Sequence, residues 1–69
     1  MLKKRSLLLA GHATSLALEP EFWTVLEAMA AAEGLSLAGL IARIDAERDM
    51  SLLASACRVQ ALKWAQAQA

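Results

Sequence analysis

The chain has 69 residues with seven basic and seven acidic side chains, and 58% of it is hydrophobic, above the roughly 45–50% of an ordinary domain. The charge balance excludes a strong global field for nucleic acid or anionic lipid. One cysteine, Cys57, and one histidine, His12, exclude an internal disulfide and a Cys/His zinc set, so no metal or cofactor is expected. A chain this short hides only about 60% of its unfolded surface on folding, and a second copy is the expected source of further burial.

Residues 1–5 read as a basic arm, because Lys3, Lys4 and Arg5 precede every acidic residue. Leu7 to Ala10 behind them has the outline of a secretory leader, but Gly11-His12 interrupts it, short of the 7–15 apolar residues a leader needs. No run approaches the ~20 apolar residues of a membrane span. The expected setting is cytoplasmic, with no membrane partner.

Residues 6–18 form the expected strand region. From Ala13 to Leu18 the period is two: Thr14, Leu16 and Leu18 on one face, Ala13, Ser15 and Ala17 on the other. The bulkier set should face a core. Leu7 to Leu9 either extend this strand or form another, with Gly11 as a bend or bulge. A lone strand leaves two edges unpaired, and the same strand of a second copy would satisfy one of them.

Pro20 suits the first position of a helix over 20–33, flanked by Glu19 and Glu21 at its positive end. Phe22, Val25, Leu26 and Met29 follow i, i+3, i+4, i+7. Gly34 can take the left-handed position after the helix, with Leu35 folding back. Ser36 is the expected N-cap of a second helix over 36–48, with Leu37, Leu40, Ile41 and Ile44 inward. Gly39 in its interior costs about 1 kcal/mol relative to alanine and suggests a close approach to another backbone. A third helix is expected over 51–66, capped by Asp49 or Ser51, with Leu53, Ala56, Val59 or Gln60, and Lys63 or Trp64 inward and a fraying tail over 65–69. The whole, 1–69, is one domain: mostly α with one short N-terminal strand.

The run Gly11-His12-Ala13-Thr14-Ser15-Leu16-Ala17-Leu18-Glu19-Pro20-Glu21-Phe22-Trp23, with Gly34-Leu35-Ser36-Leu37-Ala38 and the later Ile44-Asp45, resembles a bacterial branch of the ribbon-helix-helix superfamily. The resemblance spans residues 3 to 64. It implies a homodimer with an intermolecular antiparallel β-ribbon, here with an extra C-terminal helix, whose ribbon enters the major groove of double-stranded DNA. Carried over residue by residue, Ala13, Ser15 and Ala17 read bases and the Ser36-Leu37 amides hold a phosphate; by their charge, Lys3, Lys4 and Arg5 are expected to reach the phosphate backbone. Thr14, Leu16, Leu18, Phe22, Leu26, Leu40 and Ile41 would form the dimer interface. The sequence departs from the family at Ala13, where a basic residue usually follows Gly-His; alanine can touch a thymine methyl but cannot donate to guanine.

The expected function is therefore that of a DNA-binding homodimer, a transcriptional regulator or antitoxin-like repressor. The alternative is a protein-interaction module of the same fold, whose third helix offers Leu52, Leu53, Val59, Leu62 and Trp64 to a protein partner. His12 reads as a turn residue, Cys57 as an inert buried thiol, and Trp23 and Trp64 as core or interface anchors. No nucleophile–base–orienter set and no glycine-rich phosphate loop are present, so no enzyme is expected.

Overall fold

The computed structural model describes residues 1–68. Two strands, β1 (Lys3–Leu9) and β2 (His12–Leu18), precede three helices, α1 (Pro20–Ala32), α2 (Leu37–Glu47) and α3 (Leu53–Ala67). Helix bounds differ by one or two residues from those expected, and Ala65 to Ala67 are helical; Ala69 lies outside the described residues.

β1 and β2 are antiparallel neighbours in a two-stranded sheet, in register from Leu9↔His12 at the turn to Lys3↔Leu18 at the open end. The two-residue loop between them places Ala10 at φ 51° and Gly11 at φ 83°, and positive φ at both central residues is what a type I′ hairpin turn requires. This corrects two expectations. Residues 3–5 are strand rather than a free arm, and β2 takes its first antiparallel partner from its own chain rather than from a second copy. The physical cause is the turn: Ala10-Gly11 reverses the chain and brings Arg5, Leu7 and Leu9 onto the same face as Thr14, Leu16 and Leu18.

α1 begins at Pro20, with the Glu19 carbonyl accepting from the Phe22 and Trp23 amides. It ends in a Schellman arrangement: Leu35 N–H donates to Ala30 O at 2.9 Å, Gly34 N–H to Ala31 O at 3.2 Å, and Gly34 has φ 69°. Its buried stripe is Trp23, Leu26, Met29 and Ala30, turned toward Trp23 from the expected stripe; Phe22 and Val25 lie at its margin, half-buried.

α2 starts at the expected cap, where Ser36 Oγ accepts from Gly39 N–H at 2.9 Å. A Cβ on Gly39 would lie 3.1 Å from that Oγ. The glycine thus leaves room for the cap itself, and not for a neighbouring backbone. α3 is capped by neither Asp49 nor Ser51. Leu52 occupies the N-cap position, while Asp49 Oδ1 accepts from Met50 N–H and Ser51 O accepts from Arg48.

The inner face of the hairpin and the three helices enclose one core. Leu18, Leu26, Leu40, Ile41 and Cys57 are wholly buried, joined by Leu9, Leu16, Trp23, Met29, Ala30, Ile44 and Ala61. The radius of gyration, 11.3 Å, is close to the ~11 Å expected of a compact chain of this length. The chain therefore closes over its own core. This bears on the residues expected at a dimer interface. Leu16, Leu18, Leu26, Leu40 and Ile41 are 0–5% exposed within one chain, while Thr14 and Phe22 keep partial exposure. Cys57 and Ala61 of the third helix pack in the same core.

Candidate nucleic-acid interface

Strand alternation divides the hairpin into two faces. The inner one carries the cross-strand pairs Lys3/Leu18, Arg5/Leu16, Leu7/Thr14 and Leu9/His12; the outer one carries Lys4/Ala17, Ser6/Ser15 and Leu8/Ala13. Of the outer six, all but the half-buried Ala17 are exposed. The expected base-reading positions, Ala13, Ser15 and Ala17, thus lie together on one face. The structure adds Lys4, Ser6 and Leu8 beside them. Sequence reasoning had placed Lys4 in an arm and had not singled out Ser6. The signal was available: Arg5, Leu7 and Leu9 alternate with Lys4, Ser6 and Leu8, two residues before a matching run.

Lys3, Lys4 and Arg5 have different fates. The Arg5 guanidinium turns inward, 5.0 Å from the centroid of the Trp23 ring and 3.6 Å from Glu27 Oε2. The same indole donates its N–H to Lys3 O at 2.8 Å, fastening the open end of β1 to α1. Arg5 is thereby committed to the fold, whereas the Lys3 and Lys4 side chains are exposed and form no ion pair among the described residues.

The remaining arginines are also neutralised internally. Arg43 pairs with Glu33, Arg48 with Asp45 at 2.7 Å, and Arg58 with Glu19 at 2.9 Å. The hydrogen bond from Arg58 holds the Glu19 carboxyl below its ordinary range, and that from Arg43 does the same for Glu33. Arg58 also lies 5.8 Å from the Phe22 ring centroid, linking α3 to the start of α1. Lys3, Lys4 and Lys63 are the cations left outside such pairs among the described residues.

Ser36 and Leu37 belong to the start of α2 and not to the hairpin. Ser36 is exposed and its hydroxyl is occupied by Gly39 N–H, which leaves the first-turn amides of Leu37 and Ala38 at the positive end of the helix. His12 is exposed beside the turn. Cys57 is wholly buried, and burial pushes its thiol up to about 11; this is the setting of a structural cysteine. No group of three His, Cys, Asp or Glu among the described residues could hold a metal ion. No single helix is long and apolar enough to cross a membrane.

A short two-stranded ribbon leading through an acid-flanked proline into a helix, a glycine turn and a serine-capped second helix is the element order of a ribbon-helix-helix fold, a class with DNA-binding members. The family model for the ribbon-helix-helix domain matches residues 2–65; the chain belongs to that family. It is also similar to a solved structure of an uncharacterized protein from Bordetella pertussis Tohama I, at 36% identity and a TM-score of 0.81. The match covers 99% of this chain and 58% of that one, so this chain spans little more than half the neighbour's length. No curated protein matches the chain.

Proposed function

We propose that the protein is a DNA-binding homodimer of the bacterial cytoplasm, a transcriptional regulator or antitoxin-like repressor that lays the outer face of its β-ribbon in the major groove. The observation that carries this reading is the outer hairpin face itself. Its side chains have no role in the core, and it carries Lys4, with Lys3 next to it at the open end of β1; neither lysine forms an ion pair among the described residues. A two-stranded ribbon is an element the major groove admits. Ala13, Ser15 and Ala17 face the bases, Lys3 and Lys4 meet phosphates, and the Ser36-Leu37 amides offer a further phosphate contact. Arg5 has no part in this reading, because Trp23 and Glu27 hold it. The homodimer is supported by apolar surface left over on α3: Leu52, Val59 and Leu62 recur at helical spacing and are 77%, 48% and 54% exposed.

A second reading, a protein-interaction module, draws on that same stripe. Val59 of that stripe also lines a groove of about 370 Å³ between the end of α2 and α3, with Ile44, Ala56 and Lys63 among others. A partner helix would fill such a groove.

The test is fluorescence anisotropy of labelled duplex at low and near-physiological salt. One duplex is the region upstream of the protein's own gene and the other a shuffled control. Preferential binding that survives added salt supports the regulator. Equal binding that collapses with salt leaves a phosphate-binding protein. No binding to any duplex favours the interaction module.

A further inference from the structure

We infer that the outward face of α3 holds the α3 of a second copy, packed antiparallel, at a contact separate from any pairing of copies through the hairpin. The inference rests on the self-association in the reading above, not on its DNA binding, and names a surface and a geometry for it. α3 turns two faces in opposite directions. Ala54, Cys57, Ala61 and Trp64 pack on the core, while Leu52, Ser55, Val59, Leu62 and Gln66 are exposed. The exposed set steps by three, four, three and four residues, which is the spacing of a coiled-coil seam.

None of those five residues carries a charge, whereas a solvated helix face is ordinarily charged or polar. α1 shows the contrast, since its outward side includes Glu21 and Glu27. On α3 the only charge turned outward is Lys63, beside the seam.

The charges around the seam identify its occupant. Glu47 and Asp49 stand just before α3 and line the groove between α2 and α3 together with Lys63. Lys63 lies about 15 Å along the helix axis from Leu53, at ~1.5 Å per residue. None of the three forms an ion pair among the described residues. Arg48, which also lines the groove, is spent on Asp45 and on the Ser51 carbonyl. Acids at the start of the seam and a base three turns on are self-complementary when two copies run antiparallel. A twofold axis then sets the Lys63 of each copy toward the acids of the other, and every contact is made twice. Leu52 meets the partner's Leu62, and Ser55 the partner's Val59. A parallel pair would set acid against acid and lysine against lysine. The antiparallel contact uses no hairpin residue. It is therefore compatible with a pairing through the hairpin, and the two together take the assembly past a dimer.

Sedimentation equilibrium of the full chain, without DNA, tests this. The wild type should associate. Val59→Glu combined with Leu62→Glu changes exposed positions only and should weaken association by roughly 30-fold or more. Lys63→Glu alone, and Glu47→Lys combined with Asp49→Lys, should each weaken it by roughly 3- to 10-fold. Mixing these last two variants should restore association, because the mixed pair again sets opposite charges together. Circular dichroism melting verifies that each variant stays folded. If the Val59/Leu62 variant associates as strongly as the wild type, the copies meet elsewhere and the inference is overturned while the homodimer stands. If the mixture associates no better than its components, the antiparallel arrangement is wrong. If the wild type is a monomer at every concentration, the homodimer itself falls and this inference with it.

Discussion

The two faces of the hairpin come from the same fourteen or so residues, yet they answer to different demands. On the inner face Leu9, Leu16 and Leu18 are 5% exposed or less; of the two charges there, Lys3 is exposed at the open end, and Arg5 is stacked on Trp23 and paired with Glu27. On the outer face Lys4, Ser6, Leu8, Ala13 and Ser15 are exposed with no internal partner. Burial fixes the inner set to within a methylene, because interiors are close-packed. The outer set is free of that constraint. The fold can therefore hold its shape while the outer residues change, which separates stability from recognition within one two-stranded element.

The sharpest way to break that comparison is to truncate one residue on each face. Leu18→Ala removes a wholly buried side chain and should cost about 2–5 kcal/mol, a large part of the few kcal/mol available to a small domain. Ser15→Ala on the outer face should change stability by less than about 0.5 kcal/mol. Urea denaturation of both variants measures the contrast. Equal effects would mean that the outer face is buried in solution, for instance against a second copy, and the midpoint would then rise with protein concentration.

A second test moves from the hairpin to the helix that seals it. Burial raises the Cys57 thiol from 9.0 to about 11, so between these values the unfolded chain loses a proton that the folded chain keeps. Stability from this group is intact below pH 9 and is lost as pH climbs toward 11, by about 2–3 kcal/mol in all. Cys57→Ala should flatten that decline, at its own cost in packing. Thermal melts between pH 8 and 11 report the slope, and an unchanged slope in the variant would place the thiol nearer to solvent than α3 now holds it.

Much of this was legible in the residues. Pro20, Gly34 and Ser36 mark helix ends by backbone rules that act locally, and each sits where those rules put it. The outward set of β2 followed from period two. What failed depended on contacts between distant segments. Arg5 looks like one of three exposed cations until Trp23 and Glu27 come within reach of it. Leu16, Leu26 and Ile41 suit a shared interface as well as a private core, and that Cys57 and Ala61 of α3 join them in one cluster is visible only once the helices are packed. For that reason trimming the chain after Met50, an otherwise natural test of the third helix, would remove core rather than surface; charging Val59 and Leu62 is the cleaner experiment.

Trp23 joins the two regimes, since its ring carries Arg5 while its N–H holds the Lys3 carbonyl at 2.8 Å. Trp23→Phe keeps an aromatic core side chain but loses the donor and part of the ring beneath the guanidinium. A net hydrogen bond is worth about 0.5–1.5 kcal/mol and an exposed cation–π contact about 0.5–1 kcal/mol, so a loss of about 1–2 kcal/mol is expected in denaturation. Freed from its ring, Arg5 would swing outward, and binding to any duplex should become more salt-dependent. A variant that loses stability with no change in salt slope would show that Glu27 alone suffices to hold the guanidinium.

A last, small effect is a gain, and it touches neither face. Ala10 sits at φ 51°, in the left-handed region that costs a residue with a Cβ about 1–2 kcal/mol. Asparagine followed by glycine is the preferred pair for a type I′ turn, and Gly11 is already in place. Ala10→Asn should therefore stabilise the chain by about 0.5–1 kcal/mol, read as a shift in the urea midpoint. Because the turn sets the register, and the register sets Lys4 opposite Ala17, this variant should also keep the base preference of the wild type unaltered. A stabilised variant with a changed preference would mean that the two strands do not meet the bases in the register that holds the core.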